Sequence, residues 1–165
     1  MIDSPVAAVP DPSTQTPAGA APVVVAEHLS KHFKLGGELV QAIDDIDLSL
    51  PRGKMIALRG QSGSGKSTLL GLFGALDSAT SGTLTVDGVV VTSLRGSAEV
   101  DYRRRKTGFI FQSFNLIPYL TALENVMLPL ELVGESKTRQ IERARELLKR
   151  VGIAADRQLH RPTRL

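Results

Sequence analysis

A run of small and polar residues between Leu58 and Leu70, LRGQSGSGKSTLL, carries the most specific chemical signal in this sequence. Residues 60–67 match the spacing G-x-x-x-x-G-K-[ST] without a gap. Main-chain N–H groups can approach phosphate oxygens closely only where side chains are small, and a helix that follows directs the positive end of its dipole at the anion. The run therefore predicts a phosphate-binding loop.

The chemistry of such a loop assigns a role to each of its residues. Lys66 is expected to contact the β- and γ-phosphates, and the Ser67 hydroxyl is expected to ligate Mg²⁺. The other nucleotide-binding candidates are Gly60, Gln61, Ser62, Gly63, Ser64, Gly65 and Thr68. A flexible Gly/Ser loop is the simpler alternative, but the strand expected before the loop and the helix expected after it favour the nucleotide site.

Short apolar segments predict the elements that position this loop. Strands are expected at 23–29, 39–43, 47–50, 54–58 and 108–111. The segment 54–58 is almost entirely apolar, which is typical of a strand buried on both faces of a mainly parallel sheet. A helix is expected from Lys66 to about Ala75, and Asp87-Gly88 between alternating apolar residues predicts a hairpin turn.

The second half of the sequence predicts helices. Thr121 and Glu124 have the T-x-x-E spacing of a capping box that opens a helix, which Pro129 is expected to kink or stop. A longer helix is expected from about Lys137 to Arg150, with an apolar stripe along one face and a glycine positioned as its C-terminal cap.

Two longer phrases resemble the nucleotide-binding subunits of ABC transporters. GQSGSGKSTLL looks like their Walker A motif, and GFIFQSFNLIPYLTALENV looks like their Q-loop and the start of their helical subdomain. The two segments are most similar in sequence to those of the branch of macrolide exporters and lipoprotein-releasing transporters. The resemblance runs from about Val24 to Leu165. It implies an α/β fold of the P-loop NTPase class, an ABC-type nucleotide-binding domain with an N-terminal antiparallel β part, an incomplete RecA-like core and the start of a helical subdomain.

The resemblance also implies roles for two residues outside the loop. Gln112 would be the glutamine of the Q-loop, a catalytic residue alongside Lys66 and a second ligand of Mg²⁺ beside Ser67. KHFKLG is similar to the segment that carries the adenine-stacking aromatic residue, which makes Phe33 the candidate, in a loop between strands. Judged by residue type alone, Phe33 fits core packing as well as base stacking, and Gln112 could merely end a strand.

A complete family member binds ATP and Mg²⁺, forms a homodimer of ATPase subunits and drives a transmembrane permease. In the family, a signature motif follows RPTRL and a Walker B aspartate comes later, whereas this sequence ends at Leu165. Asp87 and Asp156 are poor Walker B candidates, because the first lies in a predicted turn and the second follows a helix cap. The chain is therefore expected to be a fragment, unable to hydrolyse ATP alone.

Composition favours a soluble globular domain and excludes several other classes. A net charge of +3 is too weak to indicate nucleic acid, and the basic run Arg103–Lys106 is typical of a solvated face. The absence of cysteine excludes disulfides and thiolate metal sites, and His28 and His32 have no third metal ligand nearby. No apolar run is long enough to span a bilayer, so we expect a cytoplasmic protein held peripherally at the inner face of the plasma membrane by the permease.

The expected organisation has three parts: a disordered Pro/Ala-rich tail at 1–22, a nucleotide-binding core at 23–112 and an incomplete helical subdomain at 113–165. Two other functions stay open. A P-loop nucleotide kinase shares GSGKST but usually carries the loop on its first strand, whereas about 35 residues of expected β structure precede it here. A non-catalytic remnant that binds nucleotide, or nothing, is the other alternative.

Overall fold

In the computed structural model, the described residues 21–164 divide into two compact units, one ending at Arg103 and the other beginning at Arg104. The strands are β1 (Val24–Leu35), β2 (Glu38–Leu50), β3 (Ser81–Val86) and β4 (Val89–Val90). The α-helices are α1 (Lys66–Phe73), α2 (Ser97–Lys106), α3 (Ala122–Leu132) and α4 (Lys137–Arg150). Residues 1–20 of the tail predicted at 1–22 lie outside the described residues. The predicted boundary at residue 112 between the nucleotide-binding core and the helical subdomain stays a prediction.

The first unit is built on a four-stranded antiparallel sheet in the order β2-β1-β3-β4. The turn between β3 and β4 is the hairpin predicted at Asp87-Gly88. Both residues have positive φ, at 48° and 76°, which confirms the prediction. The sequence predicts two strands that are interrupted between residues 43 and 47, and this interruption is wrong because β2 is continuous there. β2 has a bulge at Asp45, whose N–H donates to the Ser30 hydroxyl at 2.9 Å.

One face of this sheet and helix α1 share a hydrophobic core. Leu29, Leu72 and Leu84 are almost completely buried at its centre. Tyr102 of α2 belongs to the same cluster, and its hydroxyl donates to the Phe73 carbonyl oxygen at 2.7 Å. Burial raises the pKa of Tyr102, which keeps this hydroxyl a donor. Arg103 donates to the Ala75 carbonyl oxygen at 2.7 Å, so two side chains of α2 bond the chain at the C-terminal end of α1.

Two predicted strands are absent. Segments 54–58 and 108–111 are irregular, and Met55 and Ile110 are fully exposed. An apolar run becomes a doubly buried strand only when neighbouring strands pair with it and other layers cover both its faces. Within the described part of the chain, no strand pairs with either segment. Their composition therefore indicates strand preference but not the pairing that a strand needs.

The second unit contains α3 and α4, which pack around a small apolar core of Ala122, Leu123, Met127, Ala144 and Leu148. The predicted helix at 137–150 is confirmed, and Gly152 follows it with φ at 80° and its N–H bonded to the Lys149 carbonyl. Pro129 does not stop α3, which continues to Leu132, and the predicted kink stays a prediction. No helix of residues 21–164 is long and apolar enough to cross a bilayer.

The predicted capping box at the start of α3 is present. The Glu124 N–H donates to the Thr121 hydroxyl at 3.2 Å, and the Glu124 carboxylate accepts from the Thr121 N–H at 2.8 Å. The hydrogen bonds from the Thr121 N–H and then from its hydroxyl lower the pKa of Glu124 below its ordinary 4.5. A lowered pKa means that the charged carboxylate stabilises the folded state.

We expect Glu124→Gln to reduce thermal stability at neutral pH, with a difference from the wild type that shrinks as the pH falls. The carboxylate's contribution is fully present above the unfolded pKa near 4.5 and is lost as the pH falls through the lowered folded pKa. Thermal unfolding followed by circular dichroism at pH values between about 7 and 3 measures this. Glu142→Gln, an exposed glutamate on α4, is the matched control. A difference that stays constant across this range would contradict the expectation.

Candidate phosphate-binding site

The predicted phosphate-binding loop turns the chain from the irregular segment 51–59 into α1. Gly63 and Gly65 both have left-handed backbone conformations, with φ at 81° and 80°. Gly65 is the N-cap of α1, and its carbonyl oxygen accepts the first helical hydrogen bond from the Leu69 N–H at 2.8 Å. The predicted start of the helix at Lys66 is confirmed, and its last residue is Phe73 rather than Ala75.

Lys66 holds the loop together through its ammonium group. The Nζ atom donates to the carbonyl oxygens of Gly60 at 2.9 Å and Gln61 at 2.6 Å, and to the Ser64 hydroxyl at 3.0 Å. Because Lys66 is the first residue of α1, its positive charge and the positive end of the helix dipole lie at the same end of the helix. The site is therefore electropositive and lined by backbone groups.

The N–H groups of the first turn of α1 complete this arrangement. Gly65 offers no side-chain cap, and no acidic residue occurs in the first turn. Ser67 is exposed and Thr68 is half-buried, so the Ser67 hydroxyl lies at the surface of the helix end. Uncapped N–H groups next to a lysine are the chemistry that binds phosphate oxygens. Of the remaining loop residues, Gln61 and Ser62 are also exposed.

Gly65 is packed against the backbone of β2. A Cβ atom added at Gly65 would lie 2.2 Å from the Ala42 carbonyl oxygen and 3.5 Å from a side-chain carbon of Ile43. No side chain fits such a gap, so the glycine lets the loop end rest directly on the strand. This contact ties the position of Lys66 to the sheet.

Phe33 lies within β1 and not in a loop as predicted, because the hairpin continues to Leu35 and pairs Phe33 with Val40. Its ring is half-buried, and the Lys31 Nζ lies 4.7 Å from the ring centroid. Sequence reasoning missed Lys31. Residues two apart on a strand share a face, so the pair is expected only once Phe33 is placed in β1.

Gln112 belongs to the second unit, where it is exposed in irregular chain directly after Phe111. The predicted strand before it is absent, so its place at a strand end is not observed, and its role stays a prediction. Residues 21–164 contain no cluster of three His, Cys, Asp or Glu side chains that could hold a metal ion. His28 bonds Asp45 at 2.8 Å, a contact that, together with the charges of Asp47 and Asp45, raises the pKa of His28.

Comparisons with known proteins show which family this chain resembles. The family model described as ABC transporter matches residues 43–165. The lipoprotein-releasing system ATP-binding protein LolD of Bordetella pertussis is 42% identical over 149 residues, which cover 90% of this chain. The macrolide export ATP-binding/permease protein MacB of Aggregatibacter actinomycetemcomitans is 41% identical over 143 residues, or 87% of this chain.

Solved structures show the same likeness. The ATP-binding cassette MJ0796, described as a dimer in a post-hydrolysis state bound to ADP and Pi, is 38% identical and covers 86% of this chain with a TM-score of 0.78. The matches confirm the predicted fold class. The matched chain spans 64% of the LolD relative, 22% of the MacB relative and 62% of the MJ0796 chain.

Proposed function

Because this chain belongs to the ABC transporter family, we propose that it is the ATP-binding part of a transport ATPase, in which nucleotide binding and hydrolysis are coupled to a membrane partner. The observation that carries the proposal is the phosphate-binding loop itself. Lys66 and the uncapped first turn of α1 present positive charge and backbone donors at one place.

In this proposal, the loop residues Gly60–Thr68 bind the phosphates of ATP, and the Phe33 ring stacks on the adenine base. Ser67 and Gln112 supply oxygen ligands for Mg²⁺, which suits a hard cation that prefers hydroxyl, amide and phosphate oxygens. Mg²⁺, when bound, neutralises charge on the phosphate oxygens. Lys66 and Gln112 are the candidate catalytic residues, Lys66 by contacting the β- and γ-phosphates and Gln112 by orienting a water.

The proposed partners are a transmembrane permease and a second copy of the ATPase subunit. The names of the relatives support the first, since one belongs to a lipoprotein-releasing system and another is an ATP-binding/permease protein. The dimer described for the MJ0796 cassette supports the second. We accordingly propose a location at the inner face of the plasma membrane, reached through the permease, and no nucleic-acid partner.

The proposal is tested by measuring nucleotide binding to the chain by isothermal titration calorimetry. We expect ATP and ADP to bind, inorganic tripolyphosphate to compete with ATP, and AMP to bind much more weakly, because the loop binds the β- and γ-phosphates. Chains that bind neither ATP nor tripolyphosphate would contradict the proposal and support an inert remnant. Transfer of phosphate from ATP to a nucleoside monophosphate would instead support the kinase.

A further inference from the structure

We propose that Lys31 is a positioning residue for the base-binding half of the site. Its ammonium fixes the Phe33 ring from one face and leaves the opposite face for a purine. The inference rests on the proposed function and adds to it a residue that acts on the base and not on the phosphates.

Lys31 is held in place by three contacts. Lys31 and Phe33 are two residues apart on β1, and the ammonium lies 4.7 Å from the ring centroid. The same Nζ donates to Asp77 Oδ1 at 2.6 Å and to the Ser78 carbonyl oxygen at 2.8 Å. The lysine side chain is only 12% exposed. A side chain with this much rotational freedom is therefore confined to one position.

The confined cation also determines how the ring can be used. An ammonium is attracted to the face of an aromatic ring by its negative π density. With that face occupied, a second aromatic system can stack only on the opposite face. The ammonium also draws π density toward itself, so the opposite face repels the π electrons of a purine less. Both effects favour base stacking on Phe33.

The pairing of Phe33 with β2 and the contacts of Lys31 both relate the ring to elements beside the phosphate-binding loop. Phe33 pairs with Val40, which lies two residues before Ala42 along β2. The Ala42 carbonyl is the group against which Gly65 packs. Asp77 and its neighbour Ser78 lie shortly after α1, the helix that Lys66 begins. Lys31 therefore links the strand that carries the ring to the chain leaving the phosphate-binding helix.

An ordinary stabilising ion pair is the other role that Lys31 could have, and ligand comparison separates the two. A positioning residue affects only ligands that carry a base, whereas a purely structural residue affects every ligand of the loop equally. ATP and inorganic tripolyphosphate share the phosphates and differ in the base and sugar. Calorimetric titration of both ligands into the same variant is the measurement.

We expect Lys31→Met to raise the dissociation constant of ATP about five-fold, the size of one cation–π contact, and to leave that of tripolyphosphate within about two-fold of wild type. Methionine keeps the apolar stem and removes the charge. Lys31→Arg should restore most of the ATP affinity, because a guanidinium also lies over an aromatic face and pairs with a carboxylate. Asp77→Asn, which weakens the anchor but keeps the cation, is the second variant should Lys31→Met not fold.

Equal weakening of both ligands, or no weakening of either, would overturn the inference while leaving the proposed function in place. A wild-type chain that binds neither ligand would overturn the proposed function itself, and the inference with it. Selective loss of ATP affinity, with recovery in Lys31→Arg, is the result that supports the positioning role.

Discussion

Lys66→Ala should weaken ATP binding by about ten- to a hundred-fold, the loss expected for a charge-assisted hydrogen bond to phosphate. The ammonium is central to the loop, where it donates to Gly60, Gln61 and Ser64. In the proposed complex, the same group transfers its bonds to phosphate oxygens. Its removal takes away both the counter-charge and the group that closes the loop. Calorimetric titration with ATP at fixed salt measures the change.

Two control variants make this result specific. Lys54→Ala removes an exposed lysine of equal charge outside the loop and should leave the ATP affinity within about two-fold of wild type. Lys66→Arg keeps the charge but should not restore binding, because the larger planar guanidinium does not fit among three loop oxygens placed for an ammonium. Equal ATP affinity in Lys66→Ala and the wild type would contradict the assignment of the loop.

Gly65→Ala should lower the free energy of unfolding by about 2–4 kcal/mol and abolish ATP binding, because two costs add at this residue. Its φ of 80° is in the left-handed region, which disfavours any residue with a Cβ atom. The new methyl group would also lie 2.2 Å from the Ala42 carbonyl oxygen, so the loop or β2 must move. Urea unfolding and ATP titration of the same variant measure the two effects.

Alanine substitutions at two other glycines separate the cost of the left-handed backbone conformation from the cost of the contact with Ala42. Gly63 has nearly the same φ, at 81°, but open space around its Cβ position, so Gly63→Ala should cost only about 1 kcal/mol. Gly71 lies inside α1 with neither strain nor contact, so Gly71→Ala should be neutral or stabilise by up to about 1 kcal/mol. Equal destabilisation by Gly65→Ala and Gly63→Ala would show that the contact with Ala42 carries no cost.

Features determined by a few neighbouring residues were predictable from the sequence. The turn at Asp87-Gly88 depends on two residues that tolerate positive φ, and the start of α3 depends on Thr121 and Glu124. The start of α1 at Lys66 belongs to the same class, because it follows the motif of small residues that precedes it, while the phosphate-binding role of that motif stays a prediction. In each case, the residues within a few positions are sufficient to predict the local backbone structure.

Features that depend on distant partners were not predictable. Segment 54–58 has the composition of a buried strand, yet pairing requires neighbours that the segment itself does not specify. The position of Phe33 was missed for a related reason, since the length of β1 depends on its partner β2. The contact between Lys31 and Asp77 joins residues that are 46 positions apart in the sequence, and no local pattern predicts it.

The side-chain bonds at the end of α1 have a consequence for the thermodynamics of binding. An eight-residue helix is too short to be stable in water alone, so its order derives from its surroundings. Tyr102 and Arg103 bond the carbonyls at one end, while Gly65 rests on β2 at the other. The ordering entropy of the helix is therefore lost during folding. In the proposed complex, the phosphate would meet a pre-organised receptor, and most of the interaction energy would be available as affinity.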